Sequence, residues 1–143
     1  MYTVRLDLNI DEKRLVELTD SEAAPNVVDE DVVTALQEKA DRIVDGYCSK
    51  YLTPFAQPPE LVRQWAVAIW RYKVYAHRPE MPVPPTIAKD YDDAIRELRD
   101  VRDGKTILDA PQRPSSQPPA TTTAGGLIPR VKRLFGRGQD GLG

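Results

Sequence analysis

The sequence is poor in the residues from which catalytic and metal sites are built. Of its 143 residues, one is cysteine and one is histidine. A single thiol, Cys48, excludes an intramolecular disulfide framework. Without a CxxC pair or a Cys/His cluster there is no ligand set for zinc, and no cofactor is expected. Phosphate-binding loops, nucleophile elbows and dinucleotide fingerprints are absent as well. No apolar run approaches the ~20 residues that span a bilayer. The opening stretch "MYTVRLDLNIDEKR" carries charges where a signal peptide needs an apolar segment. The expectation is a soluble, non-membrane protein made inside the cell, and not an enzyme.

Proline, by contrast, is plentiful, with 13 residues. Charge is also plentiful but unevenly placed. Residues 1–104 hold 14 Lys/Arg and 20 Asp/Glu, a net of −6. Residues 105–143 hold 6 Lys/Arg and 2 Asp, a net of +4. An acidic body with a basic tail is the first functional clue.

Helical periodicity dominates the body. "NIDEKRLVELTD" sets Asn9 and Glu12 at capping-box spacing ahead of Leu15 and Leu18. Pro25 and Asn26 mark a loop, and Asp29, Glu30 and Asp31 suit the positive N-terminus of the next helix. There Val32, Leu36, Ala40, Ile43 and Tyr47 recur every three or four residues, with Val33 and Val44 widening the stripe. Gly46 weakens this helix and is expected to let another backbone come close. After Pro58–Pro59, the stretch "ELVRQWAVAIWRYKVYAHR" is apolar almost all round between Trp65 and Trp70, as in the buried centre of a bundle. A last, strongly charged helix places Ile87, Tyr91, Ala94, Leu98 and Val101 on one stripe, and Gly104 is well suited to close it. The expected fold is mainly α: a small bundle of about four helices, with the central helix over 60–77 buried. The core is expected from Leu36, Ile43, Tyr47, Trp65, Ile69, Trp70, Tyr91 and Leu98.

From 105 to 143 the chain reads as an extended Pro/Thr/Gly-rich arm. It ends in a basic-hydrophobic island of Leu127, Ile128, Arg130, Val131, Lys132, Arg133, Leu134 and Phe135. Such an island suits docking on another chain.

Three site chemistries are suggested by the residues. A Cys48–His77 catalytic pair has no recognisable orienting partner, so Cys48 reads as a small core residue and His77 as a helix-end contact. The acidic residues of "DYDDAIRELRDVRD" alternate with arginines at helical spacing, which is the pattern of a solvated face. A helix-turn-helix DNA binder fits the short helices, but its recognition helix needs a basic face that neither candidate helix has.

The ordered set of segments points further. "LTD" ends at Asp20; "IVDGY" runs into "KY"; "PP" precedes the central helix; "RY" stands at Arg71–Tyr72; and a Y-x-x-A-x-x-x-L-R-x-V-x-x-G-K run spans Tyr91–Lys105. Over roughly the first three-quarters of the chain, the set resembles the Mu-like phage and prophage head–tail connector family. The chain departs from that pattern at Ser49–Lys50 and in having Leu52–Thr53–Pro54 where the family has a Leu-Pro pair. The resemblance implies a structural virion protein at the neck that forms a ring of about twelve subunits below the portal. It would contact the portal and the next neck or tail protein, and extend a channel through which double-stranded DNA passes without sequence-specific binding. The alternative is a helix-turn-helix-like nucleic-acid-binding regulator.

Overall fold

The computed structural model describes residues 1–23 and 25–114. A compact unit, Met1–Pro111, holds every helix described; of the second unit, from Gln112, only residues 112–114 are described. The four helices are α1 (Glu12–Thr19), α2 (Glu30–Tyr47), α3 (Glu60–Tyr75) and α4 (Pro85–Arg102), preceded by one 3-10 turn at Arg5–Leu8. The expected mainly α bundle is therefore what forms. The arm residues Leu127, Ile128, Arg130, Val131, Lys132, Arg133, Leu134 and Phe135 lie outside the described residues.

The helix ends follow local chemistry, with two departures from expectation. Asp29 caps α2, its Oδ1 accepting the backbone N–H of Asp31 (3.1 Å) and Val32 (3.2 Å). Pro84 and Pro85 open α4, where missing N–H groups cost nothing. Gly104, at φ 84°, closes it as a Schellman motif. There Lys105 N–H bonds Asp100 O (2.8 Å) and Gly104 N–H bonds Val101 O (3.1 Å). The Asn9–Glu12 capping box does not form. Asn9 instead adopts the left-handed conformation that ends the 3-10 turn, and Glu12 turns to Arg5. The central helix stops at Tyr75 rather than 77, because Pro79 disfavours helical geometry just before it and Ala76 already serves as the cap.

α3 is the hub. It packs against α2, α4, α1 and the N-terminal turn. Val62, Trp65, Ala66, Ile69, Trp70 and Val74 are buried along it. Trp70 is 1 % exposed and its Nε1–H donates to Val33 O at 3.0 Å. A residue late in α3 thus meets one early in α2, so the two helices run antiparallel.

The buried face of α2 is one edge of the expected stripe, with Gln37 added to it. Val33, Gln37, Ala40 and Val44 are buried, continuing to Cys48. Leu36, Ile43 and Tyr47 are half-buried and pack against the margin of the core, as does Tyr91 of α4; Leu98 is fully buried. The helix is rotated by one position because its polar residue, Gln37, is satisfied inside. Its Nε2 donates to Thr3 O (2.7 Å) and Thr3 Oγ1 (2.9 Å), which holds the N-terminal segment over the core. Tyr2 is buried beside it, donating to Asp45 and accepting from Phe55 N–H.

Other polar groups tie the edges. Arg71 Nε donates to Leu8 O (2.7 Å) and its Nη2 to Asp7 O (3.0 Å), clamping the 3-10 turn. Arg78 pairs with Asp20, joining the ends of α1 and α3. Past α4 the chain stays on the body: Leu108 is buried, its N–H bonded to Tyr51 Oη at 2.8 Å, and Leu52 N–H bonds Pro111 O.

Leu98→Ala, which opens a cavity against α3, is expected to destabilise the body by about 2–5 kcal/mol. Leu6→Ala, at a fully exposed side chain, should cost less than about 0.5 kcal/mol. Urea denaturation of the two variants checks the contrast.

Candidate interaction surface

The residues weighed as a catalytic pair are kept apart. Cys48 is fully buried at the C-terminal end of α2, whereas His77 is exposed just beyond the C-terminal end of α3. Since α2 and α3 are antiparallel, these ends are about 20 Å apart along the bundle. Burial, helped by the Asp45 charge, pushes the Cys48 thiol up to about 11, so the nucleophilic thiolate is disfavoured. The charged face of α4 is a chain of ion pairs. Lys89 Nζ lies 2.7 Å from Asp93, and Arg96 Nη2 lies 2.8 Å from the other Asp93 oxygen. These two cations hold the Asp93 carboxyl below its usual range. Glu97 is committed to structure, accepting the Trp65 indole N–H at 2.8 Å. Among the described residues no group of His, Cys, Asp and Glu is placed to hold a metal ion, and no helix is long and apolar enough to cross a membrane.

The surface feature with a distinct chemistry is a groove between α2 and α4, open to solvent and about 810 Å³ in volume. Its floor is apolar: Ile43 and Tyr47 come from α2, Tyr91 and Ile95 from α4, all half-buried. The Tyr91 ring stacks on Tyr72 of α3, centroids 4.2 Å apart at 17°, which fixes this end of the floor. Burial, then the neighbouring tyrosine, raises the Tyr91 hydroxyl above its ordinary pKa. The walls are cationic. Arg42 of α2 faces Arg96, Arg99 and Arg102 of α4, with Asp92 as the acidic residue among them. Arg102 sits 5.6 Å from the Tyr47 ring centroid, a cation–π distance. Arg96 is paired with Asp93 and Arg102 with Asp103, but Arg42 and Arg99 make no ion pair among the described residues.

Gly46 also lines this groove. The close backbone approach expected there is not made by any described residue. A Cβ added at Gly46 meets nothing within 4 Å. The glycine therefore leaves the groove open beside Tyr47 at the expense of helix stability.

Sequence reading placed Ile43, Tyr47 and Tyr91 in the core and missed the groove they line. The available signal was two i,i+4 apolar pairs, 43/47 and 91/95, each bordered by arginines. Only the packing of α2 beside α4 brings them together. Of the residues on which the resemblance rests, several hold the bundle: Thr19 Oγ1 donates to Leu15 O and accepts Asp29 N–H, Asp20 binds Arg78, Arg71 clamps the N-terminal turn and Tyr72 stacks on Tyr91. Others, Ile43, Gly46, Tyr47, Tyr91 and Arg99, line the groove.

A protein-family model described as Bacteriophage Mu, Gp36 matches residues 2–125. No curated protein matches the chain.

Two outcomes follow from this geometry. Gly46→Ala should stabilise the isolated body by about 0.5–1 kcal/mol, read from the urea midpoint. Alkaline pH should destabilise it. The Cys48 thiol and the Tyr2 hydroxyl are both raised, chiefly by burial, so the folded state favours their protonated forms. That stability is complete below the ordinary thiol value of 9.0 and is lost as pH climbs towards 11. The thiol's share is about 2 kcal/mol. Cys48→Ala should flatten the profile between pH 9 and 11; an unchanged slope would contradict the assignment.

Proposed function

Since the chain belongs to the Bacteriophage Mu, Gp36 family, and so to the proteins of a tailed phage, we propose that it is a structural virion protein: a head–tail connector at the neck. In this reading several copies form a ring below the portal, bridge it to the next neck or tail protein, and extend the channel for DNA. The observation that carries the reading is the family match over residues 2–125, which takes in the whole helical body. The chemistry of the body supports it. Among the described residues, the Trp65 and Trp70 indoles and the Gln37 amide are engaged in holding the bundle, which suits a scaffold that acts by binding. An acidic body of net −6 repels phosphate, which suits a surface that DNA must pass without sticking.

A sequence-specific DNA regulator is less well supported by the same geometry. α3, the second helix of the α2–α3 hairpin, is packed against α2, α4, α1 and the N-terminal turn, so it does not offer the free face that a recognition helix inserts into the major groove.

The reading is tested on particles. Mass spectrometry and single-particle reconstruction of purified virions should find this chain in multiple copies at the neck. A chain absent from purified particles would falsify the connector role. Deleting residues 125–143, with Leu127, Ile128, Leu134 and Phe135, should lower incorporation into particles while leaving the urea midpoint of the body unchanged. Equal loss of both would remove the arm from assembly.

A further inference from the structure

The groove between α2 and α4 is an apolar trough walled by arginines, and the same molecule carries its chemical complement at a different place. At the 3-10 turn, Leu6 is 88 % exposed, the most exposed large apolar side chain among the described residues, with Val4 beside it at 58 %. Carboxylates crowd around them. Asp7 is in the turn; Asp11 and Glu12 follow it; Glu30 begins α2 close by, its Oε2 3.2 Å from Arg5. Arg5 is shared between Glu12 and Glu30, and the Arg71 guanidinium is turned to the Leu8 and Asp7 carbonyls, so the carboxylates of Asp7, Asp11, Glu12 and Glu30 outnumber the cations bound to the turn. The turn is rigid, because Arg71 holds the Leu8 and Asp7 carbonyls and Asp7 Oδ2 accepts Val4 N–H at 2.8 Å.

We propose that the arginine-walled groove of one copy receives the N-terminal turn of a second copy. Leu6 and Val4 enter the apolar floor over Gly46, and the surrounding carboxylates meet Arg42 and Arg99. This rests on the reading that the protein works in several copies, and it names the surfaces that join them.

Three observations carry it. The two patches match in both charge and polarity: an exposed leucine among acids, an apolar floor among arginines. The turn of a chain does not reach that chain's own groove. The turn sits at the start of α2, bonded to Glu30, and the groove begins at Arg42, twelve residues along the same straight helix, about 18 Å away. Finally, Gly46 keeps open a space that no part of the described chain fills. Since the two patches differ, the contact is heterologous: each copy gives a turn and receives one, which propagates to a closed ring or a filament.

Sedimentation velocity of the full chain at low and high salt tests this with two variants, Leu6→Arg and the double variant Arg42→Glu/Arg99→Glu. Both alter exposed side chains, and circular dichroism with a urea midpoint checks that each folds. The wild type should form species larger than a dimer that dissociate as salt rises. Each variant alone should be monomeric. An equimolar mixture should form a dimer and nothing larger, because one variant keeps its groove and the other its turn. Wild-type chain that stays monomeric at all concentrations, variants that associate as the wild type does, or a mixture without dimer would each overturn the proposal. So would a groove that serves nucleic acid instead: salt-sensitive binding of a DNA duplex lost in Arg42→Glu/Arg99→Glu, with self-association intact. The connector role is judged separately by particle content. Wild-type chain found in virions while both variants still self-associate defeats this interface alone; chain missing from virions defeats the connector role whatever the sedimentation shows.

Discussion

The indole of Trp70 sets the arrangement of the body. It is the largest side chain closed off from solvent, and burying it is favourable only if its N–H finds an acceptor. The acceptor is the Val33 carbonyl, so one hydrogen bond fixes both the antiparallel direction of α2 and its height on α3. With α2 fixed, Gln37 stands under Thr3, the N-terminal segment is drawn over the core, and Tyr2 reaches Asp45 and Phe55. α4 packs against both α3 and α2, and on α3 Trp65 makes the parallel commitment to Glu97. A core this small depends on its buried polar groups being answered, since an unanswered one costs about 1–3 kcal/mol; among the described side chains Asp41 Oδ1 is the exception.

The helices were legible because their signals are local. The capping aspartate at 29, the Pro-Pro starts, the Gly104 stop and the all-round apolarity of α3 each act within a turn or two of chain. The rotation of α2 was not legible, because apolar periodicity favours Leu36 and Ile43 over a stripe that contains Gln37. What reverses the choice is a partner 34 residues away, Thr3, in a segment with no periodicity of its own. The N-terminal turn was missed for the same reason: it is held by Arg71, from α3, rather than by its own propensity. The groove lay further out of reach, since it belongs to neither helix alone. Its apolar residues are ordinary core candidates until packing leaves them at a margin.

Charge is sorted in space more finely than in sequence. Along the chain, the body looks uniformly acidic before a basic tail. In three dimensions, the arginines of α4 gather against α2 on one side, while the acids collect at the start of α2 and around the first turn. A molecule so divided has an electrostatic direction, which net charge alone does not convey. The residues that carried the family resemblance fall in both places: Thr19, Asp20, Arg71 and Tyr72 hold the scaffold, while Ile43, Gly46, Tyr47, Tyr91 and Arg99 line the groove.

The clamp of Arg71 on the Leu8 and Asp7 carbonyls has a kinetic consequence. A hydrophobic residue exposed on a slack terminus would have to be immobilised at each encounter, at roughly 1–2 kcal/mol per backbone residue ordered. Here that ordering is complete once the bundle has folded. In the proposed contact, a groove that takes hold of Leu6 meets a finished shape, so little of the encounter is lost to conformational search. The guanidinium that stabilises the fold thus also presents Leu6 ready-made.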